Sequence, residues 1–219
     1  MESVLAELSG TIGDAMAAAA WAGMAERRRK AMRELMWDPE GSCWRDLLLD
    51  EQGSFKRLPA TTAACFLPLW AGALDPGSEE AAACCRALES SGLVHPAGVA
   101  ATLIETGQQW DLPNGWAPLQ SMLVEALLDV AAAQPQQQQP AALAGRIAAG
   151  WLTAVRNALT STGHFHEKYD VRFVSGVPGG GGEYKPQVGF GWTNGVVVDL
   201  LCRGICEFDG ERFIPSVGV

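Results

Sequence analysis

The 219-residue sequence is poor in the groups that hold metals, phosphates and nucleic acids. It has only three histidines, and none of its six cysteines stands in a CxxC pair. Zinc sites draw on that spacing, so no metal site is expected. Cys43, Cys65, Cys84, Cys85, Cys202 and Cys206 read instead as free, mostly buried thiols, with Cys202 and Cys206 four apart on an expected helix. Basic side chains are scarce: 16 Lys and Arg stand against 25 Asp and Glu, a net charge of −9. That balance argues against a nucleic acid or an anionic membrane as partner, because both reward clustered cations. The one basic run, Arg27-Arg28-Arg29-Lys30, reads as a solvated helix face. No apolar run reaches the ~20 residues that span a bilayer. Met1-Glu2-Ser3-Val4 lacks the basic and apolar regions of a signal peptide. No GK[ST] follows the glycine run, so no phosphate cradle is expected there. These absences leave a neutral small molecule as the best-suited substrate.

Apolar residues make up 48% of the chain and charged residues 19%, enough for a packed core in one domain. Helical periodicity dominates. Val4, Leu5, Leu8 and Ile12 form a short stripe, and Asp14 is placed to cap a second helix running to about Trp37. Asp38-Pro39-Glu40-Gly41 signals a turn, and residues 43–53 read as a short hairpin or loop. Helix is expected again over 61–74, with a kink or late start at Pro68, and over 79–88. The stretch 93–114 loses periodicity and reads as loop. Leu119, Met122, Leu123, Ala126, Leu127 and Val130 recur at helical spacing until Gln134-Pro135. Gln136 to Gln139 reads as an exposed interhelix loop. Leu143, Ile147, Trp151, Leu152, Val155 and Leu159 build the next helix, and Thr193 or Asn194 could cap a last one carrying Val197, Leu200, Leu201 and Ile205. About seven helices without alternating strands predict an all-α toroid of helical hairpins, with function on the loops at one end.

Three loops carry chemistry. In Gly107 to Gln120, GQQWDLPNGWAPLQ, two tryptophans flank an acid, an asparagine and a proline. Indole faces stack on the C–H faces of sugars while Asp, Asn and Gln bind hydroxyls, the mixed lining of a carbohydrate pocket. The same residues serve equally well as core plugs, Trp110 and Trp116, and turn caps, Asp111 and Asn114. His166-Glu167-Lys168-Tyr169-Asp170 gathers titratable groups just after a helix, and reads either as a site or as a surface charge cluster. Gly179 to Gly195, GGGGEYKPQVGFGWTNG, reads as a mobile loop that orders over a ligand, with Pro186, Gly189 and Gly191 opposing a helix start there.

These motifs resemble the α,α-trehalases. GQQWDLPNGWAPLQ is similar to that family's second signature, and HEKYDV followed by GGGGEYKPQVGFGWTNGV to its C-terminal catalytic region. MWDPEGSCWRD, ATTAACFLPLW and MESVLAEL also resemble family segments, so the likeness runs across most of the chain. It implies a partial (α/α)6 barrel occupying 1–219 as a single catalytic domain whose N-terminal part is missing. It implies inverting hydrolysis of trehalose to two glucoses, in which one carboxylic acid protonates the glycosidic oxygen and a second carboxylate activates water. By resemblance Glu167 is the general base. Glu183 contacts substrate from the glycine-rich lid, Trp110, Asp111, Asn114 and Trp116 line the sugar pocket, and Gln187, Phe190 and Trp192 continue the lid and wall. No cofactor is expected.

The sequence departs from the family pattern, whose arginines that grip the glucose hydroxyls find no counterpart here. An SGWDFSSRW-like element, which carries the family's general acid, has no counterpart, and neither has PGGRFxExYxWDxY. Little hydrolysis of trehalose by this chain alone is therefore expected. The stripes Leu119/Met122/Leu123 and Leu143/Ile147/Leu152 are expected to keep only part of their burial. The alternatives are a non-catalytic sugar-binding or regulatory remnant and, more distantly, a glucoamylase-like enzyme, which QWDLPNGWAP argues against.

Overall fold

The computed structural model describes residues 1–216. Seven α-helices lie among the described residues, with short two-stranded ribbons and no larger sheet. Packing of helix on helix, in successive hairpins, is that of an α/α toroid. The chain divides into two compact units, Met1–Glu40 with Trp44–Pro59, and Gly41–Cys43 with Ala60 onward.

The first unit is built on α1 (Glu2–Thr11) and α2 (Ala15–Leu35), which pack on each other. The Asp14 carboxylate caps α2 by accepting from the Ala17 N–H at 2.9 Å, as its position predicts. Short strands β1 (Trp37–Asp38), β2 (Cys43–Trp44), β3 (Leu47–Leu49) and β4 (Phe55–Arg57) follow. β3 and β4 form an antiparallel hairpin closed at Asp50, whose carboxylate accepts from the Gln52 and Ser54 N–H groups. Trp37 and Trp44 meet edge to face at 4.8 Å.

In the second unit the expected helix over 61–74 shrinks to a 3₁₀ turn, Ala63–Cys65, and the single turn α3 (Leu67–Trp70). Pro68 sits in that first turn, where its missing N–H costs nothing. α4 (Glu79–Ser90) is capped by the Ser78 hydroxyl, with Glu79 and Glu80 against the positive end of its dipole. The stretch expected to be loop contains β5 (Val94–His95), β6 (Gly98–Val99) and β7 (Asn114–Trp116). Then come α5 (Ala117–Ala133), α6 (Gln138–Thr162), β8 (Lys168–Asp170), α7 (Gly191–Cys202), β9 (Cys206–Phe208) and β10 (Phe213–Pro215).

The core is the α5–α6 hairpin. Leu119, Leu123, Leu127 and Val130 face Leu143, Ile147, Trp151, Leu152 and Val155, all buried. This corrects the expectation of half-lost burial at every named position but Met122, which stays half-buried. The two stripes cover each other, and α3, α4, α7, β6, β9 and β10 cover the rest. Each such side chain stabilises the fold by about 1.5–3 kcal/mol on burial. Gly150, an unfavourable residue in a helix interior, is required there. A Cβ on it would lie 2.2 Å from the Pro96 carbonyl oxygen, so only glycine admits the β5–β6 turn.

Three local expectations fail for tertiary reasons. Gln138 and Gln139 are not loop but the first turn of α6, and Gln139 donates to Glu89 at 2.6 Å. Cys202 ends α7 while Cys206 lies on β9, so the pair does not share a helix. No disulfide joins the six cysteines, and four of them are buried. Finally, α7 starts at Gly191 behind Phe190, not at Thr193. Its first turn is pinned from outside the helix: the Trp192 indole donates to the Glu167 carbonyl at 3.2 Å and the Thr193 hydroxyl to the His166 carbonyl at 2.9 Å.

Candidate active site

β7 and β8 pair antiparallel and set Trp116 opposite Lys168, Gly115 opposite Tyr169 and Asn114 opposite Asp170. This ribbon joins the tryptophan loop to the HEKYD segment, 52 positions apart at the Trp116–Lys168 pair (168 − 116). It removes the surface-cluster reading of HEKYD, since Glu167, Lys168, Tyr169 and Asp170 are all buried. Buried charges need partners. Asp170 has one: Arg172 Nε reaches its Oδ1 at 3.0 Å and Nη2 its Oδ2 at 2.8 Å, a two-pronged pair.

Glu167, 4% exposed, sits at the entry to β8 rather than on a helix. Its backbone N–H donates to the Gln187 carbonyl at 3.0 Å. The Tyr184 hydroxyl donates to Oε1 at 2.9 Å, and the Gln187 N–H approaches Oε2 at 3.3 Å. Both oxygens are oriented, and each keeps a further lone pair for another donor such as water.

Aromatic rings form a continuous run beside it. Trp110 stacks on Trp116, centroids 4.1 Å apart and planes 12° from parallel. Trp192 meets Trp116 edge-on at 5.5 Å, and Phe190 tilts against Trp192 at 4.7 Å. Trp116 is a core plug at 1% exposure, with its indole N–H on the Gln109 carbonyl, whereas Trp110 is 48% exposed. The stacked pair thus has a buried member that anchors and an outer member that presents a face. Apolar ring faces beside an oriented carboxylate are the surface a pyranose requires.

The remaining candidates have the following contacts. Asp111 accepts from the Thr102 hydroxyl at 3.1 Å and from that of Thr106, closing its own loop. Asn114, buried, accepts from the Gly180 N–H and donates to the Gly180 carbonyl, both at 3.0 Å. Its amide therefore holds the glycine run down. Gly179 N–H donates to the Lys168 carbonyl and Gly182 N–H to that of Gly107. At Gly181 φ is +83°, and a Cβ would fall 2.4 Å from the Gly107 carbonyl oxygen. Glycine is required here by close backbone approach as well as by φ. Between these loops lies a cavity of about 250 Å³, lined among others by Glu105, Gln108, Asn114, Asp170 and Gly180. Glu183 is exposed, and Gln187 is exposed with its side chain on the Lys185 carbonyl.

Sequence reasoning gave no role to three residues of this neighbourhood. Tyr184 is the donor to Glu167; its place beside Glu183 was the only signal. Its hydroxyl is pushed up in pKa by desolvation first and by the Glu167 bond next. Lys168 is fully buried, and its pKa is lowered by burial, against the opposing pull of Glu167. Tyr169, between Trp151 and His166, accepts from the His166 N–H at 2.9 Å, and burial pushes its phenol up to about 12. No group of three His, Cys, Asp or Glu side chains among the described residues is arranged to hold a metal ion.

The fold is shared with a mannosylglycerate hydrolase from Thermus thermophilus, solved in complex with glucose. The TM-score is 0.64 at 24% identity, over 92% of this chain and 44% of that one. A second solved structure, neutral trehalase from Saccharomyces cerevisiae, matches with a TM-score of 0.64 at 28% identity over 84% of this chain and 30% of that one. The trehalase family profile matches residues 1–204, and the chain belongs to that family. A probable trehalase of Oryza sativa subsp. japonica is 38% identical over 216 residues, 92% of this chain and 37% of that protein. The chain thus spans little more than a third of the length of that relative.

Proposed function

We propose that this chain is part of an α,α-trehalase that hydrolyses trehalose to glucose with inversion, and that Glu167 is its general base. The observation that carries the reading is the buried Glu167 carboxylate, both oxygens oriented by donors, beside the Trp110–Trp116–Trp192 run. In this role Glu167 accepts a proton from a water on the face of the ring opposite the leaving group. Trp110 and Trp192, with Phe190, pack the sugar. Asp111 and Asn114 hold the loops in shape. Glu183 and Gln187, exposed on the glycine-rich segment, take sugar hydroxyls. The family match over 1–204 supports reading both compact units as one catalytic domain.

The acid half of the reaction belongs, in this reading, to an element with no counterpart in the sequence. The test therefore uses a substrate that needs little acid. Fluoride leaves α-D-glucosyl fluoride without full protonation, so base-assisted attack of water should suffice. The expected result is fluoride release with β-glucose as first product, and a loss of about 10²–10⁴-fold in Glu167→Gln. Trehalose, whose leaving glucose needs the proton, should turn over slowly or not at all. Equal fluoride release by the wild type and Glu167→Gln would refute the assignment. Trehalose binding with no fluoride release from either protein would favour the non-catalytic sugar-binding reading.

A further inference from the structure

Lys168 is the one buried lysine of four; Lys30, Lys56 and Lys185 are exposed. Its Nζ has no hydrogen-bond partner among the described residues. An ammonium so placed is costly unless something else compensates its charge. Two rings do. Nζ lies 4.8 Å from the Trp116 centroid and 5.0 Å from that of Tyr184, within the range at which a ring quadrupole attracts a cation. Strand pairing fixes the first contact, because Lys168 stands opposite Trp116 in the β7–β8 ribbon. No strand pairing holds the second. Tyr184 is 41% exposed, on a segment outside any helix or strand. Its ring has two anchors, the Lys168 ammonium at its face and the Glu167 carboxylate at its hydroxyl.

We propose that Lys168 is a positioning residue for Glu167, acting through Tyr184: the ammonium, rigidly seated on Trp116, holds the Tyr184 ring where its hydroxyl orients Oε1 of Glu167. The proposal rests on Glu167 as the general base, but its structural core does not. Without the cation the ring loses its face contact and swings out. Oε1 then loses its donor and the carboxylate its fixed angle to the attacking water. Glu167 itself remains in place, so sugar binding should survive while turnover falls.

Only two tyrosines are present, which makes the test direct. With tyrosine labelled by ¹³C at the ring ζ carbon, the 219-residue protein should give two resonances. Tyr169 reports folding, and Tyr184 reports its bond to Glu167. In Lys168→Met the Tyr184 signal should move to where Glu167→Ala, which removes the acceptor, places it, with Tyr169 unmoved. Lys168→Arg, a cation that can also stack, should restore it. A Tyr184 signal in Lys168→Met coincident with the wild type overturns the proposal. Should Lys168→Met also disturb Tyr169, Lys168→Arg decides: a wild-type Tyr184 signal supports the proposal, and one at the Glu167→Ala position overturns it. On α-D-glucosyl fluoride, Lys168→Met should lose roughly 10–100-fold in kcat with KM little changed. If Glu167→Gln keeps full fluoride release, the base assignment fails, while the resonance comparison still reads the Lys168–Tyr184 link.

Discussion

Two helical hairpins of this chain carry similar apolar stripes and meet opposite fates. In α5–α6, Leu123, Leu143, Ile147 and Trp151 are at most 1% exposed. In α1–α2, Val4, Leu8, Ile12 and Met16 are 55%, 56%, 82% and 86% exposed, and α1 has no buried residue. Periodicity says which face of a helix is apolar. It does not say whether anything lies against that face. Polar groups follow the same division. The α1–α2 ion pair, Arg28 with Glu2, is at the surface, where such pairs contribute little. In the second unit Gln120 is fully buried, accepting from the Val99 N–H at 2.7 Å and donating to the Val99 carbonyl at 2.8 Å. Its side chain thus pairs with β6 as a strand would, and fixes the start of α5 just behind Trp116.

The contrast can be tested by stability. Trp151→Ala in α6 should cost about 3–5 kcal/mol by urea unfolding, whereas Leu8→Ala in α1 should stay within about 0.5 kcal/mol. Comparable losses would mean that α1 is covered in solution. Gln120→Ala should cost about 1–3 kcal/mol, because it strands the Val99 N–H and carbonyl in the core. A cost near zero would show water replacing the amide.

The smallest effect is on pH dependence. Burial lowers the pKa of His95 and His166, the former with help from the Arg172 charge and the latter from His164. Each is less readily protonated folded than unfolded. Their stabilising contribution is complete above the ordinary value of 6.5 and is lost as pH falls through the lower folded value. All three histidines lie in the second compact unit, with α5–α6, and none in the first. Hydrogen exchange between pH 7 and about 5 should therefore show protection falling in α5–α6 and steady in α1–α2. Equal pH response of both hairpins would contradict that linkage.

Much of the candidate site was legible. Trp110, Trp116, Glu167 and Trp192 stood out as types and motifs, and the structure gathers them around one ribbon. The roles of Asn114 and Asp111 were less so. Asn114 is bonded to Gly180, 66 positions away, and no local pattern announces such a bond. The glycine run was read as a loop that closes over a ligand. In the structure it is docked, with Gly181 pressed on the Gly107 carbonyl and Gly180 clamped by Asn114. Glycine marks both freedom and close approach, and sequence does not separate them. The start of α7 at Gly191 was misplaced for a related reason: weak local propensity was overridden by the Trp192 and Thr193 bonds to the 166–167 backbone.

The sequence by itself determined most of the helices, the cap at Asp14, the apolar stripes and the motifs that mark the family. These depend on short-range spacing, which a chain carries wherever it is placed. Only the tertiary structure decided which stripes are covered, that Lys168 is buried between two rings, and that Tyr184 reaches Glu167. Those are contacts between segments far apart or on loops, where distance in sequence says nothing of distance in space.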